Sequence, residues 1–250
     1  MKNAIVLLLA SIFATALAAD SKAESKDVSY KSGDETVHGV LYTPAGKGPF
    51  PAIVVIHEWW GLNDWVKEQA SRLAGEGYVA LAVDLYRGKV ATTAEMAHEI
   101  MRGVPEDRAR RDLRAAVSFL SAQPNVHKDR IASIGWCMGG GYSLDVALEE
   151  PTLAATVINY GHLATETTEL TKIKAPILGL FGAQDSGITP GDVRKFEAAM
   201  KQLGKTIDVK IYEDAGHGFE NPNNKEGYRA ADAADAWKRT TDFLAAHLKK

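Results

Sequence analysis

The sequence contains a single cysteine, Cys137, among its 250 residues. One thiol cannot form an internal disulfide bond, and it cannot supply a cysteine-rich metal site. Histidine and glutamate also fail to appear at the spacing of a metal-binding helix. The glycine run at 139–141 lacks both the pattern of a dinucleotide-binding loop and the lysine of a P-loop. We therefore expect no metal and no other cofactor.

An excess of charge of one sign is absent as well. The chain has 29 Lys and Arg residues against 32 Asp and Glu residues, a formal net charge of -3. This near balance offers no electrostatic basis for binding nucleic acid or an anionic membrane. No repeat, low-complexity stretch or interdomain linker divides the chain. We expect residues 28–250 to form one domain, a monomer that acts on a small molecule.

A long hydrophobic run occurs only at the N-terminus, at 4–18, after a short basic start. An A-x-A pattern closes the run, which is typical of a cleaved secretory signal peptide. An uncleaved membrane anchor is the alternative, but the run is short for a membrane span and is interrupted by Ser11 and Thr15. We expect 1–18 to be removed, 19–27 to form a flexible lead-in, and the mature protein to be exported. Its destination would be a bacterial periplasm or the medium, without stable membrane association.

Short apolar runs alternate with amphipathic segments along the rest of the chain. The predicted strands are a hairpin over 28–42 and buried strands at 51–57, 78–83, 131–134, 154–160, 175–181 and 208–212. The predicted helices begin near residues 64, 91, 106, 138, 190 and 226. This alternation predicts an α/β fold with a mostly parallel sheet of about seven to eight strands, covered by helices on both faces.

Cys137 occupies the turn between a predicted strand and a predicted helix. Gly135 and Gly139 flank it at two residues on each side, the spacing of a nucleophile elbow. The turn needs glycine because a Cβ at either flank would collide with neighbouring backbone. It would place the thiol at a helix N-terminus, where free N–H groups favour a thiolate or an oxyanion. The alternative is a structural cysteine buried beside a glycine-rich loop.

Polar residues follow other predicted strands. Asp185 comes after the strand at 175–181, and His217 lies in a Gly-His-Gly turn after the last strand. Because functional residues collect at the carboxyl ends of parallel strands, we expect both near Cys137. The order Cys, Asp, His along the chain is that of α/β-hydrolases. His217 would be the general base, and Asp185 would orient it, with Asp214 as a rival acid.

An oxyanion hole would need two backbone N–H donors, for which Met138 and Trp59 are the candidates. The six remaining histidines are expected to have other roles. His38, His98, His127 and His247 are assigned to the surface or to packing, His57 to packing within its own loop, and His162 to the wall of a pocket.

Several segments together resemble the dienelactone hydrolase family, whose members are carboxymethylenebutenolidase-like. They are HEWWG at 57–61, DLY at 84–86, GWCMGG at 135–140, Asp185 and AGHGF at 215–219, within a resemblance that covers about 28–248. The resemblance implies an α/β-hydrolase fold without a large lid, and a catalytic triad of Cys137, Asp185 and His217. It further implies that Glu58 contacts the resting cysteine and helps to generate the thiolate when substrate enters.

The chain departs from that resemblance where the family's arginines hold a substrate carboxylate. Arg87 stands one place earlier than the resemblance places the first of them, and 218–221 contains no arginine. Glu220 would repel a carboxylate if it faced the pocket. The residues expected to contact substrate are Trp60, Tyr86, Arg87, Tyr160 and Phe219.

The sequence therefore predicts a hydrolase of small carboxylic esters or lactones that forms a thioester on Cys137. Two alternatives remain. One is a thioesterase or peptidase that uses the same triad. The other is a non-catalytic protein that binds a ligand or senses thiol oxidation on a hydrolase scaffold.

Overall fold

A sheet of eight strands spans the part of the chain that the computed structural model describes, residues 23–164 and 166–249. The strands are β1 (Glu24–Ser32), β2 (Glu35–Thr43), β3 (Phe50–Ile56), β4 (Val79–Asp84), β5 (Val126–Trp136), β6 (Ala155–Asn159), β7 (Ile177–Gly182) and β8 (Ile207–Tyr212). Their order in the sheet is β1-β2-β4-β3-β5-β6-β7-β8. The β1–β2 and β2–β4 pairs are antiparallel, and the other neighbours are parallel. The predicted mostly parallel sheet is thus confirmed.

Helices cover both faces of this sheet. They are α1 (Asp64–Gly75), α2 (Ala94–Arg102), α3 (Glu106–Ser121), α4 (Met138–Glu149), α5 (Thr167–Leu170), α6 (Pro190–Gln202) and α7 (Ala230–Leu248). Apolar side chains of α1 and α7 share one core with the sheet, and those of α3 and α4 share another. In the ranges 23–164 and 166–249, no helix has the length and apolar character that crossing a bilayer requires.

The N-terminal strand is longer than the sequence predicts. β1 begins at Glu24 and pairs with β2 residue by residue, from Glu24 opposite Thr43 to Ser32 opposite Glu35. The expectation of a flexible segment over 19–27 is therefore wrong for 24–27, because this pairing bonds the backbone of a stretch whose own side chains are mostly exposed. The predicted signal peptide, 1–18, lies outside the described residues.

The turn between β5 and α4 has almost no room for side chains on its flanks. A Cβ on Gly135 would lie less than 3.0 Å from the carbonyl oxygen of Gly139, and a Cβ on Gly139 would also lie less than 3.0 Å from the carbonyl oxygen of Ile56. Between these glycines, Cys137 has a φ of 55°. Most residues avoid this left-handed region, so the packed turn must hold Cys137 in it. The strand thus passes into the helix within one residue, against the end of β3.

This packing predicts a strong difference between two glycine substitutions. Gly135→Ala should lower the free energy of unfolding by ~3 kcal/mol or more, because the added methyl group meets backbone that cannot move aside. Gly75→Ala is the matched control: nothing lies within 4 Å of its Cβ position at the end of α1. That change should be neutral or stabilise by up to ~1 kcal/mol. Urea unfolding of both variants measures the difference, and equal effects would contradict the packing argument.

Candidate active site

The carboxyl ends of four strands open into one cavity of about 940 Å³. Residues that follow β3, β4, β5 and β8 line it, together with Met101 on α2. The lining residues are Glu58, Trp59, Trp60, Asn63, Ala91, Thr92, Met101, Cys137, Met138, His217, Gly218, Asn221, Asn223, Asn224, Lys225 and Glu226. The Cys137 thiol and the His217 imidazole therefore share a space large enough for a small-molecule ligand.

His217 connects Cys137 to a buried carboxylate. Its Nδ1 atom lies 2.7 Å from Oδ2 of Asp185, the residue that follows β7. The Cys137 thiol lines the same cavity as the ring and is among the groups that raise its pKa. Because Nδ1 is occupied by the carboxylate, Nε2 is the nitrogen left for the thiol. The structure thus brings together the three residues that the sequence predicts as a triad, with Asp185 bonded to His217 and Cys137 at the same cavity.

Asp185 is held firmly in this arrangement. Its side chain is 2% exposed, and its Oδ1 accepts the N–H groups of Gly187 at 2.8 Å and Ile188 at 3.0 Å. Burial raises the pKa of Asp185, but hydrogen bonds from His217 and these two amides outweigh burial and lower it. The rival acid, Asp214, is exposed, and the hydrogen bond it makes is through its backbone oxygen to Arg229.

The His217 ring favours its protonated form in this site. Its side chain is 44% exposed towards the cavity. Partial burial lowers the pKa of His217, but hydrogen bonds to Asp185 and Cys137 and their charges raise it to about 10. In its protonated form the ring carries N–H donors at both nitrogens, so it can give a proton to a group in the cavity.

Glu58 is a buried carboxyl group at the wall of the cavity. Its Oε2 accepts the side-chain amide of Asn221 at 2.7 Å, and its Oε1 accepts the hydroxyl group of Tyr160 at 3.5 Å. Burial raises the pKa of Glu58 to about 7, although both hydrogen bonds and the nearby His217 lower it. The resemblance implied a contact with the resting Cys137, whereas the hydrogen bonds of this carboxyl group go to Asn221 and Tyr160.

Asn221 was not singled out from the sequence as a site residue. It is 4% exposed and reaches Glu58 from a position 163 residues later in the chain. The sequence marks Asn221 only as a polar residue shortly after His217, where no arginine occurs. Neither its burial nor its partner can be inferred from that pattern.

Two backbone N–H groups belong to residues that line the same cavity as the thiol. Met138 and Trp59 both line the cavity, and within the described residues neither N–H group donates a hydrogen bond to the protein. The hydroxyl group of Tyr86 bridges these two residues: it donates to the Trp59 carbonyl oxygen at 3.0 Å and lies 3.3 Å from Sδ of Met138. The elbow and the loop after β3 are thereby tied together.

Of the residues expected to contact substrate, Trp60 lines the cavity and the other four do not. Tyr86, Tyr160 and Phe219 are at most 3% exposed and stand behind the lining residues. The Tyr160 ring packs on His217 at 5.2 Å and on Phe219 at 5.5 Å between ring centroids. These rings support the site, because large apolar side chains at strand ends gain more from burial in the core than from a place at the mouth.

Arg87 is wrong as a substrate contact. Its Nη2 atom lies 2.7 Å from Oδ2 of the fully buried Asp112 on α3, and 3.4 Å from Glu35. Burying a carboxylate without a partner is costly, so Asp112 holds the guanidinium group away from the cavity. Glu220 is also absent from the lining, and its Oε2 accepts the indole N–H of Trp136 at 3.0 Å.

The histidines predicted to lie outside the triad have separate places. His57 is fully buried, donates from Nδ1 to the Glu58 carbonyl oxygen at 2.6 Å, and accepts the Leu85 N–H group at Nε2, 3.3 Å away. His162 lines a second, smaller cavity of about 380 Å³, which shares Met138 with the first.

Comparison with known proteins places this geometry in a family. The Dienelactone hydrolase family matches residues 37–248. A Methylorubrum extorquens protein with the provisional name carboxymethylenebutenolidase is 35% identical over 215 residues, which cover 80% of this chain and 74% of that protein. A protein of Saccharolobus solfataricus with the same provisional name is 32% identical over 88% of this chain and 97% of its own length.

A solved structure agrees with these relatives. A dienelactone hydrolase-like promiscuous phosphotriesterase from metagenomic libraries superimposes with a TM-score of 0.83 at 28% identity, over 90% of this chain and 99% of that chain. The match of 37–248 covers the sheet from within β2 to the end of α7 and includes the strand ends around the cavity. With its eight-stranded α/β-hydrolase sheet, the chain belongs to the dienelactone hydrolase family and is a carboxylic ester hydrolase.

Proposed function

We propose that this hydrolase cleaves small carboxylic esters or lactones through a covalent thioester on Cys137. The observation that carries the proposal is the grouping of Asp185, His217 and Cys137 at one cavity of about 940 Å³, where Asp185 bonds to Nδ1 of His217 and Cys137 lies on the side of the ring that faces the cavity. A nucleophile, a base and an orienting acid in contact are the parts that acyl transfer requires.

The chemistry follows from these positions. The thiolate of Cys137 attacks the carbonyl carbon, and the oxyanion that forms accepts the N–H groups of Met138 and Trp59. Protonated His217 then gives its proton to the leaving alkoxide as the carbon–oxygen bond breaks, which leaves a thioester. Neutral His217 next takes a proton from water, whose oxygen attacks the thioester. The carboxylic acid leaves, and the sulfur regains its thiolate form beside the imidazolium.

The lining of the cavity favours uncharged substrates. Trp59, Trp60 and Met101 supply apolar surface. Arg87 is engaged by Asp112, and the two charged residues on the loop before α7, Lys225 and Glu226, have opposite signs. Among the described residues that line the cavity, the cationic groups stand beside acidic ones: His217 is paired with Asp185, and Lys225 is followed by Glu226. We therefore propose neutral esters and lactones as the substrate class.

Replacing the sulfur is the direct test of the proposal. Cys137→Ala should lower kcat/KM for short neutral aryl esters and a neutral lactone by at least ~10³-fold, because no nucleophile remains. Mass spectrometry of the native protein, quenched during turnover, should show an acyl adduct on Cys137. A panel that includes carboxylate-bearing esters, thioesters and peptides ranks the substrate classes.

Cys137→Ser serves as the control for this experiment. It keeps the shape of the elbow with a poorer nucleophile, so it should fold normally and retain only weak activity. Turnover by Cys137→Ala at the native rate would refute the nucleophile assignment. A higher kcat/KM for thioesters or peptides than for esters would mean that the same triad serves a thioesterase or a peptidase. An absence of turnover on the whole panel would favour a binding or thiol-sensing protein.

Asp185 and Asp214 provide a matched pair of acids near His217. Asp185→Asn should lower kcat/KM by roughly 10²- to 10⁴-fold, because an amide cannot hold the imidazole in the required tautomer or stabilise its charge. Asp214→Asn should stay within about twofold of the native enzyme, since its carboxylate is exposed and the carboxylate bonded to the ring is that of Asp185. Steady-state kinetics of both variants, with thermal unfolding to verify folding, distinguishes them. Equal losses of kcat/KM in the two variants would contradict the assignment of Asp185 as the residue that orients His217.

The buried Glu58 side chain should lower the free energy of unfolding at neutral pH, although it assists activity. Its pKa is raised from 4.5 to about 7 by burial, so the folded state binds more protons than the unfolded state between those values. Stability from this group is therefore present at low pH and is lost as the pH rises from 4.5 towards 7. Glu58→Gln should raise the free energy of unfolding by up to ~3 kcal/mol at pH 8 and by much less at pH 5. Its kcat/KM should fall. Urea unfolding of both proteins at pH 5 and pH 8 measures this difference. A larger gain in stability at pH 5 than at pH 8 would contradict the raised pKa of Glu58.

A further inference from the structure

Glu220 and Asn221 are consecutive residues on the loop after β8. Each forms a hydrogen bond with a residue that is next in sequence to a proposed catalytic group. Oε2 of Glu220 accepts the indole N–H of Trp136 at 3.0 Å, and Trp136 is followed by Cys137. The side-chain amide of Asn221 donates to Glu58 at 2.7 Å, and Glu58 is followed by Trp59. The loop that carries His217 is thereby tied to the ends of both β5 and β3.

These bonds lie in the protein interior, where hydrogen bonds are strong and costly to break. Trp136 is 1% exposed, and Glu58 and Asn221 are each 4% exposed. Oε1 of Glu220 has no hydrogen-bond partner within the described residues, so the Trp136 indole is the group that holds this carboxyl. An uncompensated buried oxygen costs free energy, which suggests that the remaining bond is kept for positioning.

Other hydrogen bonds restrain the His217 turn, but they do not reach the elbow or the loop after β3. The side-chain amide of Asn224, on the same loop, donates to the carbonyl oxygens of His217 at 3.1 Å and of Gly218 at 3.3 Å. His217 lies between two glycines, and Gly218 has a φ of 72°. Its side chain is 44% exposed and is bonded to Asp185, which lies on the loop after another strand, β7. The Phe219 ring anchors the turn in the core, but an apolar ring fixes the distance to the elbow less sharply than a directed hydrogen bond does.

We propose that Glu220 and Asn221 form a positioning clamp that sets His217 against Cys137 and sets the Trp59 N–H group beside them. The assignment rests on the proposed function, since it concerns the geometry of that triad. Glu220 does not line the cavity, and its hydrogen bond goes to Trp136, the residue before Cys137. A displacement of about 1 Å between reacting groups can cost on the order of 10²-fold in rate, so the clamp has a measurable role.

The test compares variants that remove the Trp136–Glu220 bond with one that keeps it. Glu220→Leu removes the acceptor, Trp136→Phe removes the donor, and Glu220→Gln keeps an amide oxygen for the indole. We expect the first two to lower kcat/KM by about 10- to 100-fold and to slow alkylation of Cys137 by iodoacetamide at pH 6 by about 10-fold. Glu220→Gln should stay within about threefold of the native enzyme. The double variant Trp136→Phe with Glu220→Leu should be no worse than the poorer single variant, because both remove one bond.

Asn221 is tested separately because its side chain lines the cavity. Asn221→Ala should lower kcat with a smaller effect on KM, since it frees Glu58 and the adjoining Trp59 backbone rather than removing a substrate contact. A change confined to KM would make Asn221 a substrate-binding residue and would remove it from the clamp.

Other outcomes would overturn the proposal. If Glu220→Leu and Trp136→Phe lower the melting temperature but leave both kcat/KM and the pH profile of alkylation native, the bond has only a structural role. If Glu220→Gln loses as much activity as Glu220→Leu, the carboxyl charge matters and the hydrogen bond does not. Should Glu220→Leu fail to fold, Trp136→Phe decides the question by itself. Failure of the proposed function is a different result, namely turnover retained in Cys137→Ala.

Discussion

The site depends on one steric constraint, the absence of a Cβ at Gly135 and Gly139. Without these methyl groups the backbone at the end of β5 packs directly on the first turn of α4, and that turn packs directly on the end of β3. That contact holds Cys137 at a positive φ, with its side chain in the cavity and the N–H group of Met138 beside it. The strain at one residue is offset by the packing of the whole turn, as is common at functional sites.

Around this turn, burial and charge oppose one another. Asp185 is buried but receives three hydrogen bonds, so its ionised form is stable, and it holds His217 towards the thiol. Glu58 and Glu220 are buried with fewer donors, and burial raises their pKa to about 7 and about 8. These two carboxyl groups lower the stability of the folded protein near neutral pH. Such a cost is typical of groups that are retained for a site rather than for the fold.

Predictions from the sequence succeeded where the signal was local. The glycine spacing around Cys137 predicted the elbow because sterics within five residues decide it, and strand alternation predicted the sheet because burial follows the local pattern. Arg87 was expected to contact substrate but is paired with Asp112 on α3. The residues near Arg87 in the sequence give no sign of that buried carboxylate. Tyr160 failed for a similar reason: its ring is taken up by contacts with His217 and Phe219.

The sequence by itself determined the fold class, the family and the residues at the strand ends, because each follows from local sterics, hydrophobic periodicity and chain order. The tertiary structure decided which of these residues meet. It paired His217 with Asp185, turned Arg87 away from the cavity, and joined Glu58 to Asn221 across 163 residues. Such pairings depend on distances between segments far apart in the chain, and those distances exist only once the sheet has brought the strand ends together. The elbow around Cys137 could therefore be predicted from the sequence, whereas the residues that surround its thiol could be identified only from the fold.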